Sequence, residues 1–287
     1  MRTTAAASLG WLAACAATLP TLKSHQTLTT QLGTFEIHYA ESDRADAERL
    51  GQAIRGAVPR LKRWGELREV VNVYVLRDHE ELERATGKTD YPWLRAWARY
   101  SDVLIQAPHT WGLLAPTQSE VNELVLHELT HCLVYQLSAG PQDWSGKKIP
   151  LWFREGIAAF TAGQRYRWPT LDELARFYAA HPEQDPLLAS DEIYREQSNF
   201  VYAAAYYAFA FLRKRYEESA IRELFRQMRQ GASFPEAFER AIGISVDAFV
   251  RDFERYVKWR DVGRRTSAAA SAPASARLHH AFGSHQR

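Results

Sequence analysis

Cysteine is nearly absent from this 287-residue chain: only Cys15 and Cys132 occur. Two thiols cannot build a disulfide framework, so stability has to come from a packed core. An excess of either charge is also missing. Lys and Arg total 36 against 34 Asp and Glu, a net charge of +2, with the signs mixed along the chain. There is no basic stripe and no acidic tail, which sets nucleic-acid partners aside. No internal repeat is visible. The apolar run near the start, Ala5 to Leu19, is shorter than the ~20 residues that a membrane-spanning helix needs. What is present is 46% hydrophobic, 24% charged and 12% aromatic, the balance of a globular chain long enough to bury a sizeable core.

Arg2 followed by the short alanine-rich run has the composition of a secretory leader. Within it, Leu12-Ala13-Ala14-Cys15 resembles the bacterial lipobox, where a peptidase cuts before the cysteine and the thiol carries a lipid. The resemblance implies a cell-envelope protein held to the membrane through Cys15 and facing the periplasm or exterior. Cleavage elsewhere gives a secreted soluble protein instead. A lipidated Cys15 leaves Cys132 as the only thiol, which suits an oxidising compartment.

Residues 20–33 are polar, Thr-rich and without period, and read as a linker. Phe35 to Tyr39 alternates as a strand, and Val70 to Leu76 is a β-branched run that reads as a second. Between them, Ala47, Leu50, Ala53, Ile54, Ala57, Leu61 and Trp64 keep helical spacing. A short helix from His79 ends at Gly87, and Asp102 to Gln106 reads as a third strand. From residue 117 the pattern is almost wholly helical. Thr117-x-x-Glu120, Thr170-x-x-Glu173 and Ser233-x-x-Glu236 are capping boxes, and Gly163 and Gly243 close helices. Further helices are expected over about 192–216 and 219–229, and Ser245 caps a last one to about Trp259. The expected organisation is a leader over 1–19, the linker, one domain over 34–262 that divides near 116, and a disordered tail over 263–287. His279-His280 falls in that tail and is read as incidental.

Chemistry concentrates on the helix that Thr117 opens. His127-Glu128-Leu129-Thr130-His131 sets two imidazoles at i and i+4 on one helix face, where both can grip one metal ion. The carboxylate after the first histidine can hydrogen-bond a water on that metal without ligating it. Leu124, Val125, Leu126, Leu133 and Val134 flank the motif, so the segment is buried, and a metal explains polar groups that would otherwise be costly there. A catalytic zinc usually takes three protein ligands and keeps one position open. The extended motif with a following Gly and third His is excluded, because Val134 and Leu137 stand in those places. Glu155 is the one acid in the apolar segment Leu151 to Phe160, with Ala158 and Ala159 one turn on. Small residues there would let this helix approach the histidine helix. Cys132 points off the ligand face and reads as a core thiol.

Together, His-Glu-x-x-His and the downstream Pro150-x-Trp152-x-x-Glu155-Gly156-x-Ala158 resemble the gluzincin metallopeptidases of the peptidase MA-like branch, over about residues 102–259. The resemblance implies an α+β fold: a small mixed α/β part with an edge strand over the cleft, then a mainly helical zincin-type part. It implies Zn2+ held by His127, His131 and Glu155, with Glu128 as general base and a peptide or protein as substrate. A tyrosine from a later helix would stabilise the oxyanion; Tyr202 is preferred over Tyr206, which shares its helix face. By the same resemblance Asp102 to Gln106 is the edge strand to which an extended peptide adds. Two other readings stay open: a catalytically inactive envelope module that binds a partner, and a zinc amidase acting on a non-peptide or cell-wall substrate.

Overall fold

The computed structural model describes residues 22–271, apart from 90, 189–192, 194 and 195. The leader with Cys15 and the pair His279-His280 lie outside the described residues.

Five strands come first: β1 (Ser24–Thr29), β2 (Thr34–Tyr39), β3 (Val71–Leu76), β4 (Ala96–Ala98) and β5 (Asp102–Gln106). Helix α1 (Arg44–Leu61) crosses from β2 to β3, and α2 (His79–Thr86) follows β3. The order across the sheet is β1-β2-β3-β5-β4; β2, β3 and β5 run parallel, and β1 and β4 are antiparallel edges. Period-two alternation separates the two faces. Phe35, Ile37, Val71, Val73, Val75, Val103 and Ile105 join the main core with α1, while Leu76 and Leu104 meet Leu82 of α2 in a second, smaller cluster.

Two expectations are corrected here. The stretch read as a linker contains β1, paired in register with β2 from Ser24↔Tyr39 to Thr29↔Thr34. Its polar Thr and His residues hid it, because a half-exposed edge strand needs no apolar face; its burial alternates all the same. Asp102–Gln106 is not the edge strand: β5 lies between β3 and β4, and the edge is Ala96–Ala98. Three residues are too few to show a period. Four of the five β5 side chains are buried, as a strand flanked on both sides requires.

The helical half contains α3 (Gln118–Ser138), α4 (Leu151–Ala162), α5 (Leu171–Ala180), α6 (Ser198–Arg215), α7 (Glu218–Arg229), α8 (Phe234–Ile242) and α9 (Val246–Ser271). All three capping boxes form reciprocally, at Thr117, Thr170 and Ser233. Helix α9 passes the expected end near Trp259 and runs to Ser271; the alanines at 268–270 favour helix as strongly as they resemble a tail. Aromatic rings fill the core between these helices. Trp152 stacks on Phe249 at 5.1 Å, and Phe153 meets Phe209 edge-on at 5.6 Å. Helix α3 is buried nearly all round from Val125 to Gln136 and sits between the sheet and the other helices. Gln136 Oε1 accepts from the backbone N–H of Arg68 and Glu69, and Trp64 Nε1 donates to Thr161 Oγ1, so the two halves are pinned across α3 and α4. Among the described residues no helix is long and apolar enough to cross a membrane.

Candidate metal centre

The reciprocal cap at Thr117 sets the start of α3, and ten residues on, its buried face carries His127, Glu128 and His131, each under a tenth exposed. Glu155 arrives on α4, which starts after Pro150 and ends at Gly163 in a left-handed conformation (φ 78°). The two helices bring three donor atoms together. His127 Nε2 lies 3.2 Å from His131 Nε2, and Glu155 Oε2 lies 3.4 Å and 3.6 Å from them. An ion ~2.05 Å from tetrahedrally arranged donors sets those donors about 3.3 Å apart, so the triangle fits a zinc-sized cation.

The hydrogen bonds around the triangle fit the same reading. His127 Nδ1 lies 2.8 Å from Gln164 Oε1. The amide oxygen can only accept, so Nδ1 carries the proton and Nε2 keeps a lone pair aimed at His131. Two imidazole nitrogens and a carboxylate that converge in a buried site form a donor set that could hold a metal ion. His131 Nδ1 is buried without a partner. Without a metal, burial opposes charge on all of these groups, yet the Glu155 carboxyl is held well below its usual range by charge and hydrogen bonds from His131 and His127. Burial also disfavours a charged His127, but its hydrogen bond to Glu155 and the nearby Glu128 and Glu155 charges outweigh that and raise it. Burial pushes the Glu128 carboxyl up against the pull of both histidines.

Glu128 also lies beside the edge strand, where the Ala98 backbone of β4 draws its carboxyl back down against the effect of burial. Cys132, next to His131, turns the other way. It is fully buried, with Sγ 3.2 Å from the Arg99 carbonyl oxygen at the β4–β5 turn, as a core thiol should be. Tyr202 and Tyr206 part company. Tyr202 lies parallel on Trp168 at 4.8 Å and meets Trp93 edge-on at 6.4 Å, which bridges the segment before β4 and the helical half. Tyr206 packs at 6.1 Å against Phe160 on α4 and edge-on against Tyr207.

The sequence model of the Peptidase MA superfamily matches residues 112–259. The chain belongs to the Peptidase MA superfamily. The match opens just before α3 and closes within α9, so it contains both helices of the donor triangle, while the five strands precede it. Membership makes this Peptidase MA chain a zincin-like member of a peptidase hydrolase family. No curated protein matches it.

Three residues at this Peptidase MA centre carry no signal in the motif. Gln164 follows the turn at Gly163, and Glu123, one helical turn before His127, holds its neighbours by accepting from Tyr166 Oη and Arg167 Nε. Tyr135, one turn after His131, stacks on it at 6.1 Å, and burial raises its hydroxyl to about 12; its i+4 spacing was readable. Gly156 stands in the motif for a reason that only packing shows. A Cβ there would sit 2.8 Å from Phe209 Cβ, and closer still to the Ala205 carbonyl oxygen. The tight approach that small residues allow is therefore between α4 and α6.

Proposed function

We propose that this chain is a zinc-dependent peptidase. His127, His131 and Glu155 are its metal ligands and Glu128 its general base. The observation that carries the proposal is the buried triangle of donor atoms, drawn from two helices and all within 4.8 Å of one another. A zinc ion bound there supplies Lewis acidity, polarising a substrate carbonyl and lowering the pKa of a water to ~7.

The protein supplies the rest. The Gln164 hydrogen bond fixes the His127 tautomer so that Nε2 faces the metal position. Glu128 takes the proton from the attacking water and hands it to the leaving amine. Its raised affinity for protons, set by burial, suits a group that must accept and release one near neutral pH. An extended peptide adds to the free edge of β4, whose Ala98 backbone lies close enough to Glu128 to influence its carboxyl. Tyr202 hydrogen-bonds the developing oxyanion. Its position between Trp93 and Trp168 supports it over Tyr206, which packs among core rings. Membrane attachment through Cys15 at the cell envelope belongs to the same proposal.

The test is metal content followed by activity. Wild type should carry about one zinc per chain, and Glu155→Ala and His131→Ala should carry far less. Glu128→Gln should keep the metal and cleave no unstructured protein substrate. A zinc-loaded wild type that is equally inert toward peptides, yet releases amine from cell-wall material, selects the amidase reading. A folded wild type that takes up no zinc selects the binding module.

A further inference from the structure

At the far end of α3, at Leu137 beyond the donor triangle, a cavity of about 320 Å³ opens between the end of α1, the end of α3 and helix α7. Four arginines line it, Arg68, Arg222, Arg226 and Arg229, and no carboxylate does. Trp64 and Phe225 form an apolar floor. Some of this charge is already used. Arg226 forms a two-pronged pair with Glu223, and Arg222 Nη1 donates to the Arg63 carbonyl oxygen at 3.0 Å. Arg229 Nη1 donates to the carbonyl oxygens of Gln136 and Ala139 at the end of α3. The nearby Glu218 is held mainly by Arg63 and Arg213, with Arg222 Nη1 at 3.9 Å from its second oxygen. The Arg68 guanidinium has no side-chain partner among the described residues.

Four guanidinium groups around one cavity repel one another unless an anion lies between them. The guanidinium fork matches the oxygens of phosphate in two-pronged pairs. A carboxylate offers two oxygens, too few for several forks at once, whereas a phosphate monoester offers three. The space holds roughly ten waters' volume, more than a bare phosphate fills, and the aromatic floor suits an apolar group attached to it. We propose that this cavity binds a phosphate monoester carried on an apolar or aromatic body, free or as the monoester headgroup of phosphatidic acid. This inference does not depend on the metal centre.

The test uses the full-length Cys15→Ser chain, so that no acyl group contributes, at physiological salt. Calorimetry with phenyl phosphate, and co-sedimentation with phosphatidic acid-containing and pure phosphatidylcholine vesicles, are run on that chain. The same runs are made on Arg68→Gln/Arg222→Gln and on Lys214→Gln/Arg251→Gln, a charge-matched control far from the cavity lining. Phenyl phosphate binding that weakens at least tenfold in the first variant and not in the control supports a free phosphomonoester. Binding only to vesicles that contain phosphatidic acid, with the same pattern of loss, supports a lipid headgroup. No binding in either arm, or equal weakening in variant and control, overturns the proposal. Matching thermal melts of the two variants guard against a folding defect.

Discussion

Adding one methyl group at Gly156 should damage the fold and the metal centre together. The Cβ of an alanine would meet Phe209 Cβ at 2.8 Å and the Ala205 backbone more closely, where ordinary contact begins at 3.4 Å. One obstacle is backbone, so no side-chain rotation relieves it. Helices α4 and α6 must part by more than half an ångström. Overpacking of this kind costs about 1–3 kcal/mol, which for a domain of this size lowers the melting temperature by roughly 3–10 °C. Glu155 is the preceding residue on α4, so the same movement shifts its carboxylate relative to the two histidines, and displacements approaching 1 Å at a catalytic group cost up to ~100-fold in rate. Gly56 in α1 is the internal comparison, because a Cβ there meets nothing within 4 Å. Alanine at that position should stabilise by ~0.5–1 kcal/mol through helix propensity alone. The assay is a thermal melt of both variants with and without zinc, since a ligand bound only to the folded state raises the melting point. If Gly156→Ala melts with wild type and gains the same increment from zinc, the packing argument is wrong.

Gln164→Leu should leave the apo protein folded but weaken zinc affinity ~10–100-fold, read by competition with a chromogenic chelator, because His127 loses the partner that fixes its tautomer. Asp43 is buried, one carboxylate oxygen has no partner, and burial raises its pKa. Its folded-state pKa is above the unfolded value, so its ionisation burdens the fold at neutral pH and the burden disappears as pH falls to the unfolded value. Asp43→Asn should therefore melt higher than wild type at pH 7, with the gap closing toward ~pH 4; a gap that widens on acidification contradicts this sign. Cys15→Ser should move the protein from membrane to soluble fractions, and a wild type already soluble after fractionation would refute the lipid anchor.

How much of this was legible depended on whether a feature was local. Capping boxes at Thr117, Thr170 and Ser233 and the turn at Gly163 are made within a few residues, so helix starts and stops could be read along the chain. The histidine pair was equally plain, being a matter of one helical turn. Strand order was not. Whether Asp102–Gln106 is an edge or an interior strand depends on where Ala96–Ala98 pairs, and three residues carry no pattern that says so. β1 escaped because its inward positions are Ser24, Gln26 and Leu28, mostly polar and only half-buried. Gln164 escaped because its role is fixed by a partner on another helix, and Gly156 because its neighbour, Ala205, lies on α6.

The donor triangle also has an order of assembly built into it. Two of its members share a single turn of α3 and exist as soon as that turn forms, whereas Glu155 reaches them only after α4 has docked on α3 and, through Gly156, on α6. A nascent chain with α3 alone offers two donors, a weak hold that any free imidazole can compete for. All three donors are therefore together only once the helical half has closed. On the proposed reading a bound ion would report on packing as well as take part in chemistry: a chain that retained it through dialysis would have completed its packing.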